Sequence, residues 1–114
     1  MADLPMASMA TESDRLTKLR ALLEKEPDDG FLLYAIAQEY AKAGDADQAV
    51  AHYDRAIAVD PKECYAFFHK AKVLEEARRV PEAVTALRAG LARARTVSDR
   101  KAASEIEGYL DALE

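Results

Sequence analysis

His52, His69 and Cys64 are the side chains of this 114-residue sequence whose chemistry could go beyond packing. A helical zinc site needs ligands spaced by about one turn, such as paired histidines or a histidine with a nearby glutamate. His52 and His69 stand 17 residues apart on different predicted helices, without such a companion, so no metal is expected. Cys64 and His69 could approach on one helix face as nucleophile and base, but nothing in the sequence supplies a third group to orient the imidazole. There is no P-loop, dinucleotide fingerprint or nucleophile elbow, and Ser98 fits a helix cap better than a hydrolase motif. No catalytic residue and no cofactor is assigned, and the chain does not read as an enzyme.

A single cysteine forms no intramolecular disulfide and no multi-thiolate metal site. Sixteen Lys and Arg against 21 Asp and Glu leave a formal charge of -5, which disfavours nucleic acid and anionic membrane, both of which ask for a basic face. The local run Arg88, Arg93, Arg95, Arg100 and Lys101 is explained by basic residues near a helix C-terminus, where they complement the dipole. Residues Met1 to Ala10 lack the basic start and apolar segment of a signal peptide, and no stretch is long and apolar enough to span a bilayer. A cytoplasmic protein is expected, with residues 1–12 as a disordered tail and residues 13–114 as one domain.

The elements that would position any site are helices. Half of the residues are hydrophobic, many of them alanine, with few aromatics and no tryptophan, and no period-two β-branched run occurs. Leu16, Leu19, Leu22 and Leu23 share a face of a helix from Ser13 to Lys25, ended by the approach of Pro27. Asp28 and Asp29 offer caps to a helix from Gly30 to Ala43, which Gly44 stops. Asp45 and Gln48 open a third helix that ends before Pro61. A fourth runs from Glu63 to Ala77, a fifth starts uncapped near Pro81, and Ser98 caps a sixth that carries Ala102, Ala103, Ile106, Tyr109, Leu110 and Leu113 on one face.

Pro27 and Pro61 lie 34 residues apart, and one apolar pattern repeats at that period: Leu33, Ile36, Ala37, Tyr40, Ala49, Tyr53, Ala56, and then Phe67, Lys70, Ala71, Leu74, Ala83, Leu87, Gly90. The pattern resembles the tetratricopeptide repeat, a helix-turn-helix unit with a large residue at position 4, small residues at 8, 20 and 27, and proline at 32. Counting from Gly30 the match is close. Counting from Cys64, which falls at a helix start, Arg78 stands where the turn glycine would be and Arg95 replaces the last proline. The resemblance implies an all-α helical-hairpin solenoid, a right-handed superhelix of about six helices. It divides the chain into a half repeat (13–29), two repeats (30–63 and 64–97) and a capping helix (98–114).

Repeats of this kind present surfaces to partners, so the resemblance implies an adaptor that binds a peptide or partner helix along its inner groove. The alternative is a structural module that self-assembles through an uncovered end into a homo-oligomer. In the family register the groove is lined by Phe31, Tyr34, Gln38, Ala41 and Lys42 from one repeat, and by Tyr65, Phe68, Lys72, Glu75 and Glu76 from the next. Tyr34 and Phe68 would be central, with Lys72 offering charge to an acidic partner. As these rings are placed in the groove and not between repeats, replacing both by serine is expected to cost binding and little stability. The family's carboxylate clamp asks for lysine and asparagine where this chain has Tyr34 and Gln38, so acidic chaperone tails ending in EEVD are not expected to bind.

Overall fold

The structure is a computed structural model that describes residues 13–114; the tail expected over residues 1–12 lies outside them. The described residues form six helices and no strand: α1 (Asp14–Lys25), α2 (Gly30–Lys42), α3 (Ala46–Val59), α4 (Tyr65–Glu76), α5 (Val80–Thr96) and α6 (Arg100–Leu113). Four start on a side-chain cap. The oxygens of Ser13, Asp29, Asp45 and Asp99 accept from the backbone N–H groups of Leu16, Leu32, Gln48 and Ala102, each satisfying one donor of an open first turn. Neither α4 nor α5 has a side-chain cap.

Ser98 is not the cap of the last helix. It is left-handed, with φ 61°, and terminates α5, while Asp99 takes the capping role. Gly44 (φ 79°) and Arg78 (φ 63°) do the same after α2 and α4. In all three turns the following N–H returns to a helix carbonyl: Asp45 to Tyr40 at 3.0 Å, Arg79 to Leu74 at 2.8 Å and Asp99 to Ala94 at 2.8 Å. These are Schellman turns, in which a left-handed residue frees the chain to satisfy the last carbonyls. The second hairpin thus makes the turn of the first without its glycine. Since a non-glycine residue there costs about 1–2 kcal/mol, and glycine gives back part of that through a more mobile unfolded chain, Arg78→Gly should raise the stability by about 1 kcal/mol. A urea midpoint that stays put or falls would show that Arg78 makes a compensating contact.

Packing runs chiefly between helices adjacent in sequence. Within hairpin α2–α3, Ala37 and Ala49 are fully buried, and Ala71 and Ala83 match them in α4–α5. Small residues let the backbones approach, and the larger Tyr53 and Leu87 fill the space beyond. Ala49→Leu has no room and should cost roughly 1–3 kcal/mol; a chemical denaturation curve matching that of the parent would refute the placement. Helix α6 lays Ala102, Ile106 and Leu110 onto the core formed by Leu74, Leu87 and Ala94. The stack measures 50 × 32 × 16 Å, with a radius of gyration of 15.3 Å against about 13 Å for a compact domain of this length. Its elongation leaves side surfaces open along α2 and α4.

Candidate groove along the first helices of the repeats

Gln38, Ala41 and Lys42 from α2 face Lys72 and Glu76 from α4 across a cleft floored by Tyr53, His69 and Val73. Gln38 is shared with a neighbouring cleft lined by Phe31, Tyr34, Ala56, Asp60 and Glu63. The structure therefore brings together Phe31, Tyr34, Gln38, Lys42 and Lys72 of the residues assigned to the groove. Phe31 is 79 % exposed, whereas its neighbour Tyr34 is half-buried.

Tyr65, Phe68 and Glu75 are engaged otherwise. The Phe68 ring lies 5.1 Å from that of Tyr109 on α6, and the Tyr109 hydroxyl donates to Glu75 Oε1. Tyr65 borders Glu105 of the same helix and packs near Phe68. The capping helix thus holds this part of the second unit. Tyr34 also departs from expectation, because it makes edge contacts with Tyr53 at 5.6 Å and with His69 at 5.8 Å. That joins α2 to α3 and to α4 of the next unit, so the ring does pack between repeats. Burial raises the Tyr34 hydroxyl pKa well above the usual tyrosine value and pushes Tyr53 up to about 12, so both remain neutral donors.

His69 was not among the residues assigned to the groove, yet its imidazole is the centre of the aromatic row. Its ring centroid is 5.6 Å from Phe68, 5.8 Å from Tyr34 and 6.4 Å from Tyr53. The sequence carries one weak signal for this, a histidine beside Phe68 on a first helix. Burial, with a smaller push from the Lys72 ammonium, holds the His69 pKa below the ordinary histidine value. His52 has other surroundings: it packs on Tyr40 at 5.2 Å, and its Nδ1–H donates to the Gln48 carbonyl at 2.8 Å. Cys64, at the start of α4, is buried, and burial above all raises its thiol pKa, the reverse of what a nucleophile needs.

At the α1 side of the cleft sits a buried carboxylate. Glu39 is 7 % exposed and accepts from the Ser13 hydroxyl at 3.1 Å and from Lys42 Nζ at 3.2 Å, with Arg15 Nε at 3.6 Å. Burial alone would raise its pKa, but the hydrogen bonds from Lys42 and Ser13 outweigh that and hold it below the usual value. Lys42 is thereby tied at the groove edge. Both shifts have the same sign for stability, because the unfolded chain binds more protons in each case. The His69 contribution is complete above the ordinary histidine pKa and is lost as pH falls toward its lowered value; that of Glu39 is lost at more acid pH, through its own lowered pKa. The melting temperature should fall below about pH 6.5, and His69→Gln should flatten the upper part of that fall. A parallel profile in the variant would count against this origin.

Helical hairpins stacked in register, with clefts along their first helices, define a helical-repeat protein. The tetratricopeptide repeat profile matches residues 30–63. A TPR repeat-containing protein of Pseudomonas aeruginosa is 31 % identical over 96 residues, covering 84 % of this chain and 91 % of that protein. The chain belongs to the tetratricopeptide repeat family. Among solved structures, a tetratricopeptide repeat domain protein from Salinibacter ruber superposes with a TM-score of 0.70 at 30 % identity, over 77 % of this chain and 89 % of that one. A protein from Bordetella parapertussis gives 0.75 at 26 % identity, over 89 % and 88 %. The type III secretion translocator chaperone SycD of Yersinia enterocolitica shares the fold, with a TM-score of 0.77 at 18 % identity over 96 % of this chain and 77 % of that one. No helix among the described residues is long and apolar enough to cross a membrane.

Proposed function

We propose that this protein is an adaptor that binds a peptide or partner helix in the cleft between α2 and α4, working in the cytoplasm by recognition and not by chemistry. The observation that carries this reading is the cleft itself, in which Gln38, Lys42, Lys72 and Glu76 surround an aromatic floor beside the exposed ring of Phe31. An aromatic surface rimmed by polar groups is the composition of an interface core. Phe31 and Lys72 are the contacts to test, because both are exposed and their loss leaves the packed rings in place.

The experiment is a pull-down from native extract with the parent chain and with Phe31→Ser/Lys72→Glu. A partner retained by the parent should be depleted about thirty-fold or more by the variant, the size expected of a hot spot near 2 kcal/mol, at an unchanged melting temperature. Equal retention by both chains would place the binding surface elsewhere.

A further inference from the structure

Phe31 is 79 % exposed and Val59, at the end of α3, is 40 % exposed. Both flank the N-terminus of α2, where a Cβ added at Gly30 would lie 3.6 Å from Val59 Cγ1 and 3.7 Å from Asp60 Cβ. The cleft that opens here has a volume of about 350 Å³, with the rings of Phe31 and Tyr34 and the carboxylates of Asp60 and Glu63 in its lining. That is at the small end of ligand pockets and gives room for one long side chain.

The charge of this cleft has one sign. Asp60 is the C-cap of α3, at the negative end of that helix's dipole, and the last turn of α3 carries no basic residue. A carboxylate placed there is unfavourable by itself, and a single cation would offset both the carboxylate and the helix end. The positive end of α2 also lies here, but Asp29 already meets it by accepting from the Leu32 N–H at 3.1 Å. Asp60 spends Oδ1 on the Lys62 N–H and Glu63 spends Oε1 on the Tyr65 N–H, each at 3.2 Å. Among the described residues neither carboxylate makes an ion pair. Arg93, which reaches this loop from α5, donates instead to the Pro61 carbonyl at 2.8 Å. Glu63 is close enough to Tyr34 for its charge to add, after burial and Tyr53, to the rise in that hydroxyl's pKa. The chain's own leading segment does not supply the missing cation, because residues 1–12 hold Asp3 and Glu12 and no Lys or Arg.

From this we infer that the peptide received by the groove carries an arginine that enters this cleft, its guanidinium against the Phe31 ring and donating to Asp60 and Glu63. The inference rests on the reading of the groove given above and names what fills its end at the start of α2. Arginine suits the cleft better than lysine, because a planar guanidinium stacks on an aromatic face while its fork of N–H donors meets carboxylate oxygens at its edge. A lysine ammonium is a point charge and offers no such plane.

The test selects random peptides displayed on phage against the full chain and titrates the strongest of them, labelled with fluorescein, by anisotropy. The selected peptides should share one arginine, and exchanging it for citrulline, its neutral isostere, should weaken binding to the parent about tenfold or more. Asp60→Asn should weaken the arginine peptide to a similar degree and leave the citrulline peptide unchanged, since the contact is then already gone. Asp60 is exposed, and removing its charge from the negative end of α3 should not lower the melting temperature. Asp111→Asn, an exposed site on α6, changes the net charge equally and should alter neither affinity. Selected peptides without a shared arginine, a citrulline peptide that binds as tightly, or an Asp60→Asn effect equal on both peptides or matched by Asp111→Asn would each overturn the inference. The groove is judged separately with Phe31→Ser/Lys72→Glu. Arginine-free peptides that lose binding to this variant keep the groove and remove only the arginine. Peptides that bind it as tightly as the parent, or a selection that enriches none, overturn both.

Discussion

Replacing Tyr34 and Phe68 together by serine should destabilise the fold by roughly 3–5 kcal/mol, about half of what removing two fully buried aromatic rings costs. Tyr34 ties α2 to α3 and α4 through Tyr53 and His69, and Phe68 ties α4 to α6 through Tyr109. Both rings touch His69, so their effects should couple and the double variant should depart from the sum of the singles. Set against a total of about 5–15 kcal/mol for a domain, this is a large fraction. Urea denaturation of the two single variants and the double would measure it. A double variant within about 1 kcal/mol of the parent would return the rings to the groove and restore them as candidate contacts.

Gly90→Ala should cost roughly 3 kcal/mol, at the upper end of the range for overpacking, although alanine is the better helix former by about 1 kcal/mol. A Cβ at Gly90 would lie 2.5 Å from Phe67 Cβ and 2.9 Å from Phe67 Cγ, with Ile106 Cδ1 at 3.3 Å. The nearest atom is the root of a side chain, which no rotamer change can move. Helices α4 and α5 would have to separate, and the Ile106 contact of α6 would loosen with them. For the same reason, shortening Phe67 to leucine should not rescue the variant. A melting temperature equal to or above that of the parent would show that the seam yields more easily than its geometry implies.

The recurrence at 34 residues made the helices and their small-residue seams legible, because position along a period determines which face is buried. Ala37 with Ala49 and Ala71 with Ala83 are where that pattern puts them. The last cap was less legible: Ser98 and Asp99 can both cap a helix, and the choice depends on which residue turns left-handed to end α5, a property of the preceding helix's last turn. The groove was legible in part. Periodicity says that Tyr34 and Phe68 recur at one position, but their ring directions depend on what the adjacent helix offers. For Tyr34 that is His69, and for Phe68 it is Tyr109, which no repeat count pairs with it. Likewise, nothing in the local sequence joins Ser13, a cap, to Glu39 across 26 residues.

Cys64 gives the molecule a clock. It is the chain's one thiol, 1 % exposed in the core shared by α4, α5 and α6, and a thiol reagent attacks only sulfur it can reach as thiolate. Labelling therefore has to wait until α4 parts from the helices after it, and its rate in excess reagent counts those openings directly. If the α1 end frays while α4 to α6 stay closed, hydrogen exchange in α1 will run ahead of labelling at Cys64; if the stack opens as one unit, the two will report the same free energy.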